Sequence, residues 1–118
     1  MLLAEMIDAA ERIVSIVADT SVQDLERDRT LRESLLWNLA VLGEASGQVS
    51  PELKAAHPEV EWTNPVRLRN RIVHGYWSID LDVLHATGRE DMPDFLRKLR
   101  SIAATEPGDS GTDRGASA

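Results

Sequence analysis

Apolar positions recur at three- and four-residue intervals through most of the chain, which is the period of helices packed on one side. The first stripe, Leu3, Met6, Ile7, Ala10, Ile13, Val14 and Val17, predicts a helix from about Leu2 to Ala18. Asp19-Thr20-Ser21 interrupts it, and Ser21 or Thr20 can cap a short helical turn through Leu25. A second long helix is expected over about Asp28 to Gln48, with Leu31, Leu35, Leu39 and Leu42 in register and Trp37, Ala40 and Val41 widening its apolar face. Late in that helix Gly43 and Gly47 flank Glu44, and small residues there let another backbone approach closely. Ser50-Pro51-Glu52-Leu53 pairs a cap with proline at the first helical position, and His57-Pro58 ends the short helix it opens. Asn64-Pro65 repeats the signal and opens a helix across Val66 to about Val73. Asp80 caps a last helix, about Leu81 to Ile102, buried through Leu84, Phe95, Leu96, Leu99 and Ile102. Pro93 falls inside it and should kink or divide it.

No alternating strand segment, hairpin signal or repeat occurs. The fold class expected is therefore all-α, an up-and-down helical bundle with short extra helices in one domain, residues 1–104. Residues 105–118 lack any apolar period and read as a disordered tail.

Composition changes this picture little: 118 residues support one core, and 42% apolar content is ordinary. Without cysteine there is no disulfide framework and no thiolate zinc site. Acids at Glu5 and Asp8 argue against a signal peptide, and no apolar run approaches a membrane span, so a cytoplasmic location is expected.

Charge changes it more. The net charge of −7 argues against wholesale binding of a polyanion. Residues 1–35 hold eight acids against four bases, whereas residues 61–79 hold Arg67, Arg69 and Arg71 against Glu61 alone. An acidic body with one basic spot suits local contact with a few phosphates.

That spot contains the chain's one concentrated set of chemical groups: Arg69-Asn70-Arg71-Ile72-Val73-His74-Gly75-Tyr76. An imidazole exchanges protons near neutral pH, and a guanidinium is a permanent planar cation suited to phosphate. Five residues of continuous helix separate Arg69 from His74 by about 140°. The expectation is that the helix finishes near Val73, with Gly75 as its stop, leaving His74 free to turn back toward Arg69.

The chemistry these types fit is RNA cleavage without metal: a base deprotonates a ribose 2′-hydroxyl, an acid protonates the leaving 5′-oxygen, and a cation stabilises the phosphorane-like transition state. One histidine per chain cannot be acid and base together, but a two-fold homodimer with the motif near its axis supplies two. Six arginines would then converge, with Asn70, Arg71 and Arg67 as candidate substrate-binding residues beside the catalytic pair Arg69 and His74. Metal catalysis would need clustered ligands. His57, His74 and His85 are scattered, and Asp80 and Asp82 fall on different helix faces, so no metal site and no cofactor is expected. His57 reads as a pre-proline loop residue and His85 as a surface helix position.

The octet resembles the HEPN ribonucleases, helical bundles marked by arginine, four to six residues and histidine. It is most similar to their HepT branch, Arg-x4-His-x-Tyr, commonly with Asn after the arginine, Gly before the tyrosine and Asp shortly after. Here those places hold Arg69, Asn70, His74, Gly75, Tyr76 and Asp80. The resemblance extends to Leu42-Gly43-Glu44-Ala45, Ser50-Pro51-Glu52-Leu53, His57-Pro58 and Trp62, about residues 3–102. It implies a dimeric RNase toxin of a type VII toxin–antitoxin pair, with Arg69 and His74 of both protomers in one cleft. It also implies a partner, a minimal nucleotidyltransferase antitoxin that moves AMP from ATP to Tyr76, where bulk and phosphate charge would block RNA. The alternative of another class is a non-catalytic HEPN module that binds a nucleotidyltransferase and presents Tyr76. A degenerate bundle without activity is disfavoured by the intact Arg69, His74 and Tyr76.

Overall fold

The chain's computed structural model describes residues 2–105, apart from the side chain of Tyr76. The described residues form helices throughout: α1 (Leu2–Ala18), α2 (Val22–Arg27), α3 (Arg29–Gln48), α4 (Pro51–Ala56), α5 (Thr63–Gly75), α6 (Leu81–Ala86) and α7 (Met92–Thr105). A 3-10 turn, Tyr76–Ser78, follows α5, and a π turn, Thr87–Asp91, joins α6 to α7. Thr105, where the expected tail begins, closes α7; the rest of that tail lies outside the described residues.

The start signals work through side chains. Ser21 and Asp24 form a reciprocal capping box on α2, and the bond from the Ser21 backbone N–H, with the Ser21 hydroxyl next, holds the Asp24 carboxyl below the usual carboxylate range. Asp28 Oδ1 accepts from Leu31 N at 3.1 Å and Ser50 Oγ from Leu53 N at 3.1 Å, so α3 and α4 begin on capped ends. Arg32 Nη1 donates to the carbonyls of Leu25 and Glu26, at 2.8 and 3.1 Å, which ties the end of α2 to α3.

The core joins α1, α3 and α7. Leu3, Met6, Ile13 and Val17 of α1 meet Leu35, Leu39 and Leu42 of α3 and Leu96, Leu99 and Ile102 of α7, all buried. Phe95 is only half-buried at its edge. Trp37 departs from expectation: it is 69% exposed. On a continuous helix it lies about 200° from Leu35, so it faces outward with Glu44 and not toward the core.

Pro93 does divide the last helix, and the division takes a specific form. A proline cannot donate to the carbonyl four residues back and its ring crowds that carbonyl, so the preceding turn widens. The widened turn contains Gly88, where a Cβ would lie 2.7 Å from Val17 Cγ1. The absence of a side chain lets this turn close against α1. His85 is not a simple surface residue: half-buried, it donates from Nε2 to the Thr20 carbonyl at 2.6 Å, fastening α6 to the end of α1. His57 sits in the loop after α4, its carbonyl taking the Trp62 indole N–H at 3.0 Å. That bond seats the buried Trp62 immediately before α5.

Candidate active site on helix α5

Helix α5 begins at Thr63, earlier than its sequence signal suggests, with Asn64 and Pro65 in its first turn and not as cap and first residue. Proline is tolerated there because first-turn N–H groups have no helical partner. The helix packs lengthwise on α3, and the contact is close because of a glycine. A Cβ on Gly43 would lie 2.3 Å from Arg69 Cβ and 2.4 Å from the Pro65 carbonyl oxygen. Gly47, one turn on, faces Val66 at an ordinary 3.7 Å. The pairing of 43 with 69 and 47 with 66 means that the two helices run antiparallel.

This crossing positions Arg69. Its stem lies over Gly43, its Nη2 is 3.0 Å from Glu44 Oε1, and its Nη1 donates to Asn70 Oδ1 at 2.9 Å. A guanidinium has five N–H donors, and the hydrogen bond to Asn70 occupies one of them, so donors remain for a ligand. The arginine side chain is 37% exposed, enough to be reached from solvent.

His74 is arranged differently. Helix α5 runs two residues past Val73, ends at Gly75 and passes directly into the 3-10 turn. Gly75 is the last residue of α5, where a stop is expected, but no glycine in the described residues has a left-handed φ, so the end is not a left-handed cap. The Gly75 carbonyl instead accepts from Ser78 Oγ at 2.8 Å. His74 therefore stays in helical register, about 140° around the axis from Arg69, and does not turn back to it. It is exposed and makes no hydrogen bond or ion pair among the described residues.

His74 instead shares its face with the other candidates. Asn70 is one turn before it, Arg71 three residues before and Arg67 seven before, all exposed and within about 100° of arc. Arg67 and Arg71 make no ion pair among the described residues, so both cations are available to a ligand. They also form one wall of a groove of about 730 Å³ between α5 and the α6–α7 segment. Glu90, Asp91 and Asp94 line its other wall, over Val83, Met92 and Phe95. Lys98 lines it too, and the hydrogen bond from Arg97, then that from Lys98, holds the Asp94 carboxyl below the usual range.

The sequence alone does not identify Glu44 as the partner of Arg69. The signal in it is an acid between two small residues on a helix, which says that a helix comes close but not which side chain it brings. Among the described residues no three His, Cys, Asp or Glu side chains converge as a metal site would require, and no helix is long and apolar enough to cross a membrane.

The family described as Ribonuclease HepT-like matches residues 6–102. Among relatives, a Thermococcus cleftensis protein named "Probable ribonuclease HepT" is 28% identical over 100 residues, covering 85% of this chain and 91% of the relative. A candidate RNase of Methanocaldococcus jannaschii is 24% identical over 100 residues, covering 85% of this chain and 92% of its own. A candidate RNase of Caldanaerobacter subterraneus is 21% identical over 104 residues, with 88% and 93% covered. No solved structure gives a significant match. The matched segment runs from within α1 to within α7 and spans the Arg69–Tyr76 octet, so the chain belongs to the HepT-like ribonuclease family.

Proposed function

We propose that this protein is a metal-independent endoribonuclease that works as a two-fold dimer and is silenced by AMP transfer to Tyr76. The observation that carries the reading is the division of labour on α5. Arg69 is held with donors to spare, and His74 projects outward beside Asn70, Arg67 and Arg71. Within one protomer the cation and the proton carrier diverge, so a site needing both in one cleft draws them from two chains. Large apolar side chains on the same surface support association there. Trp37 shares its α3 face with Glu44, Val73 lies one turn beyond Arg69, and they are 69% and 55% exposed.

In the proposed reaction one His74 removes the proton from a ribose 2′-hydroxyl, and the oxygen attacks the adjacent phosphorus. The second His74, protonated, gives its proton to the 5′-oxygen as the P–O5′ bond breaks. The products are a 2′,3′-cyclic phosphate and a 5′-hydroxyl end. Arg69 donates to the non-bridging oxygens, whose charge grows as the new bond forms.

Regulation follows from position. Tyr76 opens the 3-10 turn two residues after His74. Attack of its phenolic oxygen on the α-phosphorus of ATP, with pyrophosphate leaving, would add a bulky phosphodiester with one negative charge beside the motif. The enzyme making that transfer is a small nucleotidyltransferase, which serves as antitoxin to this toxin.

The test combines cleavage and mass. Purified chain should cut cellular RNA in the presence of chelator and leave 2′,3′-cyclic ends, and His74→Ala should not. Incubation with its cognate nucleotidyltransferase and ATP should add AMP mass to Tyr76 and stop cleavage, while Tyr76→Phe escapes. Cleavage that persists in His74→Ala, or modification confined to another residue, would refute the corresponding half. Modification of Tyr76 in a chain that cuts no RNA would favour the presenting-module alternative.

A further inference from the structure

We infer that Glu44 is a positioning residue for Arg69: with Gly43 it forms a seat on α3 that aims the guanidinium before substrate arrives. The inference rests on the ribonuclease reading and adds a residue to it. Four contacts define the seat. Gly43 admits the arginine stem, since a Cβ there would overlap both Arg69 Cβ and the Pro65 carbonyl. Glu44 Oε1 holds Nη2 at 3.0 Å from a neighbouring helix, and Asn70 Oδ1 takes Nη1 at 2.9 Å from within α5. A hydrogen bond at one nitrogen and an ion pair at the other restrain a planar group in rotation as well as in place, which a single contact cannot do.

The pair does not serve mainly for stability. The Glu44 side chain is 54% exposed and that of Arg69 37%, and ion pairs this open to water contribute little to folding. Its effect lies in orientation. An unrestrained arginine has many rotamers to lose on gripping a phosphate, and a seated one has lost them already. A carboxylate beside the guanidinium also competes with phosphate for it. The two effects have opposite signs on removal of Glu44, so experiment separates them. The donors left open on Arg69 favour orientation, since phosphate can bind without displacing Glu44.

The experiment uses the full chain and a mixed-sequence fluorogenic oligoribonucleotide. Glu44→Ala should lower kcat between about tenfold and a hundredfold, as expected for a misplaced catalytic group, with KM little changed. Glu44→Gln should fall between it and wild type, because an amide oxygen keeps a polar contact near Nη2 but not the charge of the ion pair. In an Arg69→Ala background Glu44→Ala should cost nothing further, since its effect passes through the arginine. A second readout needs no activity: by ¹⁵N relaxation the Arg69 Nε–H should be ordered in wild type and mobile in Glu44→Ala. Unchanged kcat, faster cleavage, full loss on top of Arg69→Ala, or equal Nε–H mobility in both proteins would each overturn the assignment. Wild-type chain that cuts no RNA overturns the ribonuclease reading instead, and the relaxation data then still decide whether Glu44 orients Arg69.

Discussion

The two sides of α5 treat their functional residues in opposite ways. On the side against α3, Arg69 is pressed over a glycine and bonded by two neighbours. On the outward side, His74 is exposed and bonded to nothing among the described residues. The difference matches the work each group must do. A cation that stabilises charge on a phosphate gains from being fixed beforehand, because no reorganisation then accompanies the reaction. A proton carrier can be completed later, by substrate or by a second protomer. Each protomer then contributes one finished half and one unfinished half.

The largest effects should come from removing either half. His74→Ala should lose about two to four orders of magnitude in kcat, the usual share of a general acid or base, with no change in thermal stability. The side chain is exposed, so nothing in the fold depends on it. Arg69→Lys should be nearly as damaging to activity, because an ammonium cannot bond Glu44, Asn70 and a phosphate in one plane. Mixing His74→Ala with wild type sharpens the contrast. If both histidines of a dimer serve one reaction, the heterodimer should be as inactive as the His74→Ala homodimer, measured as cleavage after subunit exchange. Half of wild-type activity in a mixed dimer verified by mass would break the shared-site idea.

Next in size is Gly43→Ala, which acts on the fixed side alone. The added methyl meets the Pro65 carbonyl oxygen at 2.4 Å, and a backbone atom cannot rotate away. Overpacking of this kind costs about 1–3 kcal/mol, and the better helix propensity of alanine offsets about 1 kcal/mol of it. A net loss in urea denaturation is expected, together with a fall in kcat as Arg69 shifts. Wild-type stability would mean that the crossing has slack enough to absorb a methyl group.

The outward face is tested by Arg67→Gln combined with Arg71→Gln. Neither arginine has an ion pair among the described residues, so folding should be unaffected. RNA affinity should drop, and the slope of log K against log salt should flatten by about 0.7 for each phosphate no longer neutralised. Binding measured in a His74→Ala background avoids cleavage during the titration. A flattened slope with kcat retained would separate binding from chemistry along a single helix.

How far the sequence could be read depended on whether a feature was local. The caps at Ser21 and Ser50 and the extent of α1 were legible, because each rests on interactions three or four residues apart. The candidate residues could be named from their types and spacing, and Gly43 could be marked as a point of close approach. Their orientation could not be read. Gly75 does end α5, yet without the left-handed φ that would turn the chain back, and the 3-10 turn Tyr76–Ser78 carries it on with His74 still in helical register. Pro93 signals a break, but the widened turn at Thr87–Asp91 is shaped by Gly88 meeting Val17, a contact spanning about seventy residues of chain. The Glu44–Arg69 pair is of the same sort: it depends on the register of two helices, and no periodicity in either one encodes it.

The smallest effect belongs to Gly47→Ala, one turn from the seat. Gly47 is exposed, and a Cβ there would meet Val66 Cγ2 at 3.7 Å, an ordinary contact. Alanine restricts the unfolded chain and favours helix, so the variant should be more stable, by at most about 1 kcal/mol. Activity should match wild type, because the Arg69 stem passes over Gly43 and not over Gly47. The two glycines therefore make a matched pair, with the same substitution on the same helix and opposite signs expected in denaturation. If Gly47→Ala loses activity as Gly43→Ala does while gaining stability, then mobility of α3 matters and the close fit at Arg69 does not. If it keeps full activity, the fixed side of α5 narrows to the single turn that carries Gly43 and Glu44.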